Sequence, residues 1–69
     1  MAADAREGEI VRRLVHDLRT PLAVVAGFAE LLDQRAGELT DEQRAEYVAR
    51  ILDGARQMDE ILGRARAGA

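Results

Sequence analysis

Apolar residues in this 69-residue chain recur in two runs, each with spacings that alternate between three and four positions. This alternation is the heptad pattern, which places a stripe of side chains along one face of an α-helix. The sequence therefore predicts two long amphipathic helices. The first run comprises Val11, Leu14, Leu18, Pro21, Val25, Phe28 and Leu32, and the second comprises Val48, Ile51, Ala55, Met58, Leu62 and Ala65.

The segment between the two runs carries signals for the end of one helix and the start of another. Gly37 is predicted to adopt the left-handed conformation that closes many helix C-termini. Thr40 and Gln43 fit a capping box, in which each side chain accepts a hydrogen bond from the backbone amide of the other residue. We expect one domain over residues 1–69, with helix 1 at about 8–35, a turn at 36–40 and helix 2 at about 41–66.

A hairpin of two such helices cannot cover both apolar stripes, because each helix contacts the other along one seam only. Chains below about 70–80 residues rarely bury enough apolar surface alone, and this chain has no cysteine for disulfides and one histidine for a zinc site. Gly27 and Gly54, inside the predicted helices, indicate close approach between helices. The predicted fold is all-α: an antiparallel helical hairpin that forms a homodimeric four-helix bundle.

Composition excludes several other classes of function. The formal net charge is −3 and the aromatic residues are only Phe28 and Tyr47, so we expect no nucleic-acid partner. The longest apolar stretch, residues 21–32, contains Glu30 and is too short to span a bilayer. No signal peptide is evident at the N-terminus. We expect a cytoplasmic segment without membrane contact and without a metal or bound cofactor of its own.

One short segment departs from the regular helical pattern. At about 100° per residue, His16 lies nearly opposite the apolar stripe and should point to solvent. Pro21 follows five residues later, where its ring removes a helix hydrogen bond and should kink the helix. A proline inside a helix costs about 3 kcal/mol. Its position beside a solvent-facing histidine therefore suggests that the local helix geometry serves a function.

The segment at residues 16–22, His-Asp-Leu-Arg-Thr-Pro-Leu, resembles the H-box of sensor histidine kinases. The resemblance continues through residues 26–32, Ala-Gly-Phe-Ala-Glu-Leu-Leu, and through the turn at residues 39–43 into the second helix. It covers about Glu9 to Arg66. The chain is thus similar to the dimerisation and histidine-phosphotransfer domain of the HisKA type.

The resemblance implies a role for each residue of the H-box. His16 matches the phosphoacceptor, whose Nε2 takes the γ-phosphoryl group of ATP. Asp17 matches the acidic residue that hydrogen-bonds the other ring nitrogen, and Thr20 matches the residue that positions water for dephosphorylation of a receiver. Arg19 is a weaker candidate for a contact to the ATP-binding domain. Pro21 matches the kink of the family.

The resemblance also implies partners outside this chain: an ATP-binding domain that holds ATP and Mg²⁺, and the receiver domain of a response regulator. The chain has no Gly-x-Gly run, so we expect it to receive phosphate as part of a kinase without autophosphorylating alone. In the family a membrane anchor usually lies upstream. The alternatives are a stand-alone histidine phosphotransfer protein and a non-catalytic dimerisation scaffold, in which His16 is an ordinary surface histidine.

Overall fold

Two helices make up the fold. The computed structural model describes the backbone of residues 2–68 and the side chains of residues 6–67. Helix α1 spans Ala2–Gln34 and helix α2 spans Asp41–Gly68. No strand occurs within the described backbone. The two helices pack along their length into a rod of 55 × 19 × 11 Å. The predicted all-α hairpin is confirmed.

The helices are longer than the sequence predicted. Helix α1 begins at Ala2, ahead of the expected start near residue 8, and helix α2 continues to Gly68. The residues that precede Gly8 include Ala, Arg and Glu, which are good helix formers, and one interior glycine costs only about 1 kcal/mol. Helix propensity therefore extends α1 towards the N-terminus, ahead of the first residue of the apolar run.

The end of α1 differs from the prediction at Gly37. None of the described glycines has a positive φ, so the expected left-handed cap at Gly37 is wrong. The Arg35 amide donates to the Leu31 carbonyl at 2.9 Å, and the Glu38 amide donates to the Arg35 carbonyl at 2.9 Å. The Arg44 guanidinium reaches back from α2 and donates to the carbonyl of residue 36 at 3.1 Å. A side chain from α2 thus satisfies a carbonyl group at the end of α1, where the sequence predicted a cap formed by Gly37.

The start of α2 has the predicted capping box. The Gln43 amide donates to Thr40 Oγ1 at 3.1 Å, and the Thr40 amide donates to Gln43 Oε1 at 3.0 Å. Asp41 and Glu42 lie in the first turn of α2, where carboxylates favour the positive end of the helix dipole. Local sequence therefore sets the beginning of α2.

The helices approach most closely where Pro21 meets Gly54. These are the only two buried residues among residues 6–67. A Cβ atom at Gly54 would lie 2.6 Å from Val25 Cγ2 and 3.0 Å from the Pro21 carbonyl oxygen, whereas a Cβ atom at Gly27 would have no neighbour within 4 Å. Within the hairpin, the predicted close approach of the two helices is therefore confirmed at Gly54 and wrong at Gly27.

The two apolar stripes are divided between the hairpin seam and solvent. Near the turn the rings of Phe28 and Tyr47 lie 5.1 Å apart across the seam, and Leu18 and Ile51 are half-buried. No large apolar side chain within residues 6–67 is fully buried. Those that remain exposed are Ile10, Val11, Val15, Leu22, Val24, Val48, Leu52 and Leu62.

Candidate functional site

His16 lies in the middle of α1 and points away from α2. Its side chain is 86% exposed, as its position on the helical wheel predicted. The half-buried Leu14, Leu18 and Val25 lie on the opposite side of α1, so the imidazole makes no contribution to the seam. A reacting group can therefore approach the ring from solvent.

Asp17 lies beside one nitrogen of this ring. The distance from His16 Nδ1 to Asp17 Oδ1 is 3.4 Å, which is long for a hydrogen bond, and the Asp17 side chain is 47% exposed. A carboxylate at Nδ1 favours the tautomer that carries its proton there and leaves Nε2 with a free lone pair.

Thr20 and Arg19 follow His16 on α1, and both are exposed. Thr20 lies one helical turn after His16 and about 40° around the axis, so its hydroxyl belongs to the same face. Arg19 lies about 60° to the other side of His16. The structure thus places Thr20 close to the histidine face and Arg19 at its margin.

Pro21 joins this face to the hairpin seam. Helix α1 continues without interruption through Pro21, which is buried and whose carbonyl oxygen faces Gly54. Because proline has no N–H, the carbonyl of Asp17 loses its usual helix partner. The kink expected here stays a prediction.

Two open pockets lie next to His16. The shallower pocket is lined by Glu9, Arg12, Arg13 and His16. The larger is a groove between the start of α1 and the end of α2, and Asp17 is part of its wall. The groove is lined by Arg6, Glu9, Ile10, Arg13, Leu14, Asp17, Ile61, Arg64 and Ala65.

The sequence analysis assigned no role to the arginines that precede the histidine. Arg12 and Arg13 lie four and three residues before His16, and side chains on a helix lean towards its N-terminus. That lean, applied to His16, would have placed the imidazole over the turn that carries both arginines. The spacing of arginine and histidine is therefore the signal in the sequence that brings these residues together.

The described residues form neither a metal site nor a membrane span. Within the part of the chain that the structure describes, no group of three or more histidine, cysteine or acidic residues could hold a metal ion. Over the same residues, no helix is both long enough and apolar enough to cross a membrane.

The structure thus combines a helical hairpin with a solvent-facing histidine, an adjacent carboxylate and a buried proline. The family model of the His Kinase A (phospho-acceptor) domain matches residues 6–67. The chain belongs to this family, and it is a phospho-acceptor domain of the histidine kinase type.

Three relatives have names that agree with this family. The chain is 35% identical over 60 residues to sensor protein VanS of Enterococcus faecium, an alignment that covers 87% of this chain and 15% of VanS. It is 40% identical over 62 residues to the circadian input-output histidine kinase CikA of Synechococcus elongatus, covering 88% of this chain and 8% of CikA. It is 36% identical over 59 residues to sensor protein DegM of a Bacillus species, covering 86% of this chain and 14% of DegM.

The chain therefore spans less than a sixth of the length of these relatives, since even the largest share is 15%. No solved structure matches the chain significantly.

Proposed function

We propose that His16 is the residue that accepts the phosphoryl group in this domain. The observation that carries the proposal is the placement of His16 within the family's H-box, with its ring exposed to solvent and its Nδ1 beside Asp17. Imidazole suits the reaction because its neutral form is a nucleophile at physiological pH without a strong base.

The proposed transfer uses both nitrogens of the ring. The Nε2 lone pair attacks the γ-phosphorus of ATP, an Nε2–P bond forms, and the bond from the γ-phosphorus to the bridging oxygen breaks so that ADP leaves with the electron pair. The Nδ1 proton is shared with Asp17, which stabilises the positive charge that develops on the ring. The ATP and its Mg²⁺, which neutralises phosphate charge, belong to a separate ATP-binding domain in this proposal.

The second half-reaction passes the phosphoryl group to a receiver. An aspartate of a response-regulator receiver domain attacks the phosphorus, and the Nε2–P bond breaks. Thr20 lies one turn beyond His16 on the same face, where its hydroxyl can position water for the hydrolysis of the receiver's acyl phosphate. Arg19, at the margin of this face, is proposed only as a contact to the ATP-binding domain.

The unburied apolar surface supports a homodimer. A compact domain of 7.6 kDa exposes roughly 4,300 Å², whereas this hairpin exposes 5698 Å². The excess of about 1,400 Å² is the size that one subunit loses in an obligate dimer. Val15, Leu22 and Leu52 are each about half exposed, and a second hairpin laid against them completes a four-helix bundle.

The proposal also covers what the chain does not do alone. Without an ATP-binding domain, we expect no transfer from Mg²⁺-ATP to His16. Because ATP is the proposed phosphate donor, the domain would act in the cytoplasm.

Labelling with phosphoramidate tests the proposal, because this small donor needs no ATP-binding domain. The donor P–N bond breaks, the Nε2–P bond forms, and the leaving amine takes up a proton to give ammonia. We expect intact mass spectrometry to show one acid-labile phosphoryl group on the wild type and none on His16→Gln. Light scattering should show a dimer for both proteins, since His16 lies on the side of α1 opposite the apolar stripe.

Each outcome of this experiment has a defined meaning. An adduct on His16→Gln would overturn the assignment of His16. No adduct on either protein would overturn the phosphoacceptor role and favour the non-catalytic scaffold. A monomeric wild type would overturn the dimer.

A further inference from the structure

The shallow pocket beside His16 has a composition suited to an anion. Its walls are the side chains of Glu9, Arg12, Arg13 and His16. All four residues are exposed, so the pocket is open to solvent and to a small ligand. Two guanidinium groups outweigh one carboxylate in charge, which favours an anion over a cation.

The direction of the His16 side chain explains why its ring lies on the wall of this pocket. A side chain on an α-helix leans towards the N-terminus and covers the turn that precedes its own Cα. The His16 ring therefore covers the turn that carries Arg12 and Arg13. Arg19 follows His16 and lines neither of the two pockets.

A phosphoryl group at His16 would need a cation nearby. It carries a charge of about −1.5 to −2, and Asp17 already places a carboxylate 3.4 Å from the ring. Within residues 6–67, neither Arg12 nor Arg13 forms an ion pair with an acidic side chain. The arginines that do form such pairs there are Arg44, Arg50 and Arg56.

Position distinguishes the two arginines of the pocket. Arg13 also lines the groove towards α2, together with Asp17 and Arg64. Arg12 lines only the pocket that contains His16, one helical turn before the histidine and about 40° around the axis from it. From the neighbouring turn of the helix, a guanidinium group can bind two oxygens of a phosphoryl group through parallel N–H donors.

We propose that Arg12 binds the phosphoryl group as it is transferred at His16 Nε2. This inference rests on the proposed function of His16 and adds to the H-box a residue from the preceding helical turn. Glu9, on the wall of the same pocket, opposes Arg12: its carboxylate repels the incoming dianion.

The test measures the rate of phosphoramidate labelling by intact mass for the wild type, Arg12→Gln, Arg12→Lys and Glu9→Gln. Arg35→Gln is the matched control, because Arg35 is an exposed arginine beyond the end of α1 and its removal changes the net charge equally. We expect Arg12→Gln to slow labelling about three- to tenfold, as for loss of a partly solvated charge-assisted contact. Arg12→Lys should recover part of the rate, Glu9→Gln should raise it, and Arg35→Gln should leave it unchanged.

Ionic strength provides a readout that a purely structural role of Arg12 would not alter. Raising the salt concentration from about 0.05 M to about 0.5 M should slow the wild type and shrink the difference from Arg12→Gln. Circular dichroism and light scattering establish that each variant is a folded dimer.

The outcomes separate this inference from the proposed function. Labelling of Arg12→Gln at the wild-type rate, or an equal slowing by Arg35→Gln, would refute the role of Arg12 and leave His16 as the phosphoacceptor. A loss of labelling that Arg12→Lys does not recover and salt does not modulate would also refute phosphoryl binding. A wild type that takes no label would overturn both proposals.

Discussion

Replacing Gly54 by alanine is expected to destabilise the hairpin, although alanine is the better helix former. The added Cβ atom would lie 2.6 Å from Val25 Cγ2 and 3.0 Å from the carbonyl oxygen of Pro21. The valine methyl can turn away, but the carbonyl belongs to the backbone of α1. The helices must therefore separate by a few tenths of an ångström at the level of the H-box.

Gly27→Ala provides the comparison that isolates this steric term. A Cβ atom at Gly27 would meet nothing within 4 Å in the hairpin, so within one subunit the substitution adds helix propensity alone, about 0.8–1.0 kcal/mol in favour of folding. Gly54→Ala gains the same propensity but adds an overpacking penalty of about 1–3 kcal/mol. Because the propensity gain is common to both, the difference between the two variants is the overpacking penalty.

Thermal unfolding followed by circular dichroism measures this difference. The protein concentration must be the same for all samples, because the stability of a dimer depends on it. A penalty of 1 kcal/mol corresponds to about 4–8 °C in Tm for a domain of this size, so Gly54→Ala should melt at least about 4 °C below Gly27→Ala. Equal melting temperatures, or a higher one for Gly54→Ala, would show that the contact between Gly54 and Pro21 does not set the helix spacing.

Two further substitutions probe the cap of α2 and the face of His16. Thr40→Ala removes the hydroxyl that accepts a hydrogen bond from the Gln43 amide at 3.1 Å. It should lower the free energy of unfolding, measured by chemical denaturation, by about 1 kcal/mol. An unchanged free energy would mean that water replaces the capping box without loss. Thr20→Ala should preserve labelling of His16 but slow the dephosphorylation of a receiver that the wild-type domain has phosphorylated. The measurement is the loss of phosphate from the receiver over time. An unchanged rate of dephosphorylation would remove Thr20 from the proposed hydrolysis.

Short-range patterns predicted much of this molecule. The capping box at Thr40 and Gln43 depends on residues three positions apart, so the hydrogen bonds could be read from neighbouring residues. The exposure of His16 followed from helical periodicity, because an apolar stripe on one side of a helix leaves the other side to solvent. The H-box residues were named by resemblance, and the roles of Asp17, Thr20 and Arg19 stay predictions.

The failures came from contacts between residues distant in sequence. Gly37 looked like a left-handed cap, but Arg44 binds the carbonyl of residue 36 from the other helix. Gly27 and Gly54 are indistinguishable as glycines inside helices, and only the crossing of α1 over α2 shows which one is pressed against a neighbouring backbone.

The residues by themselves determined the two helices, the position of the turn and the side of α1 on which His16 lies, because these depend on spacings of three and four along a regular helix. The tertiary structure decided which apolar residues face α2 and which remain uncovered, as Leu18 and Leu22 illustrate. It also placed Arg12 and His16 on the walls of one pocket. Periodicity assigns a residue to a face of its helix, whereas the crossing geometry and the conformations of the side chains decide what that face meets.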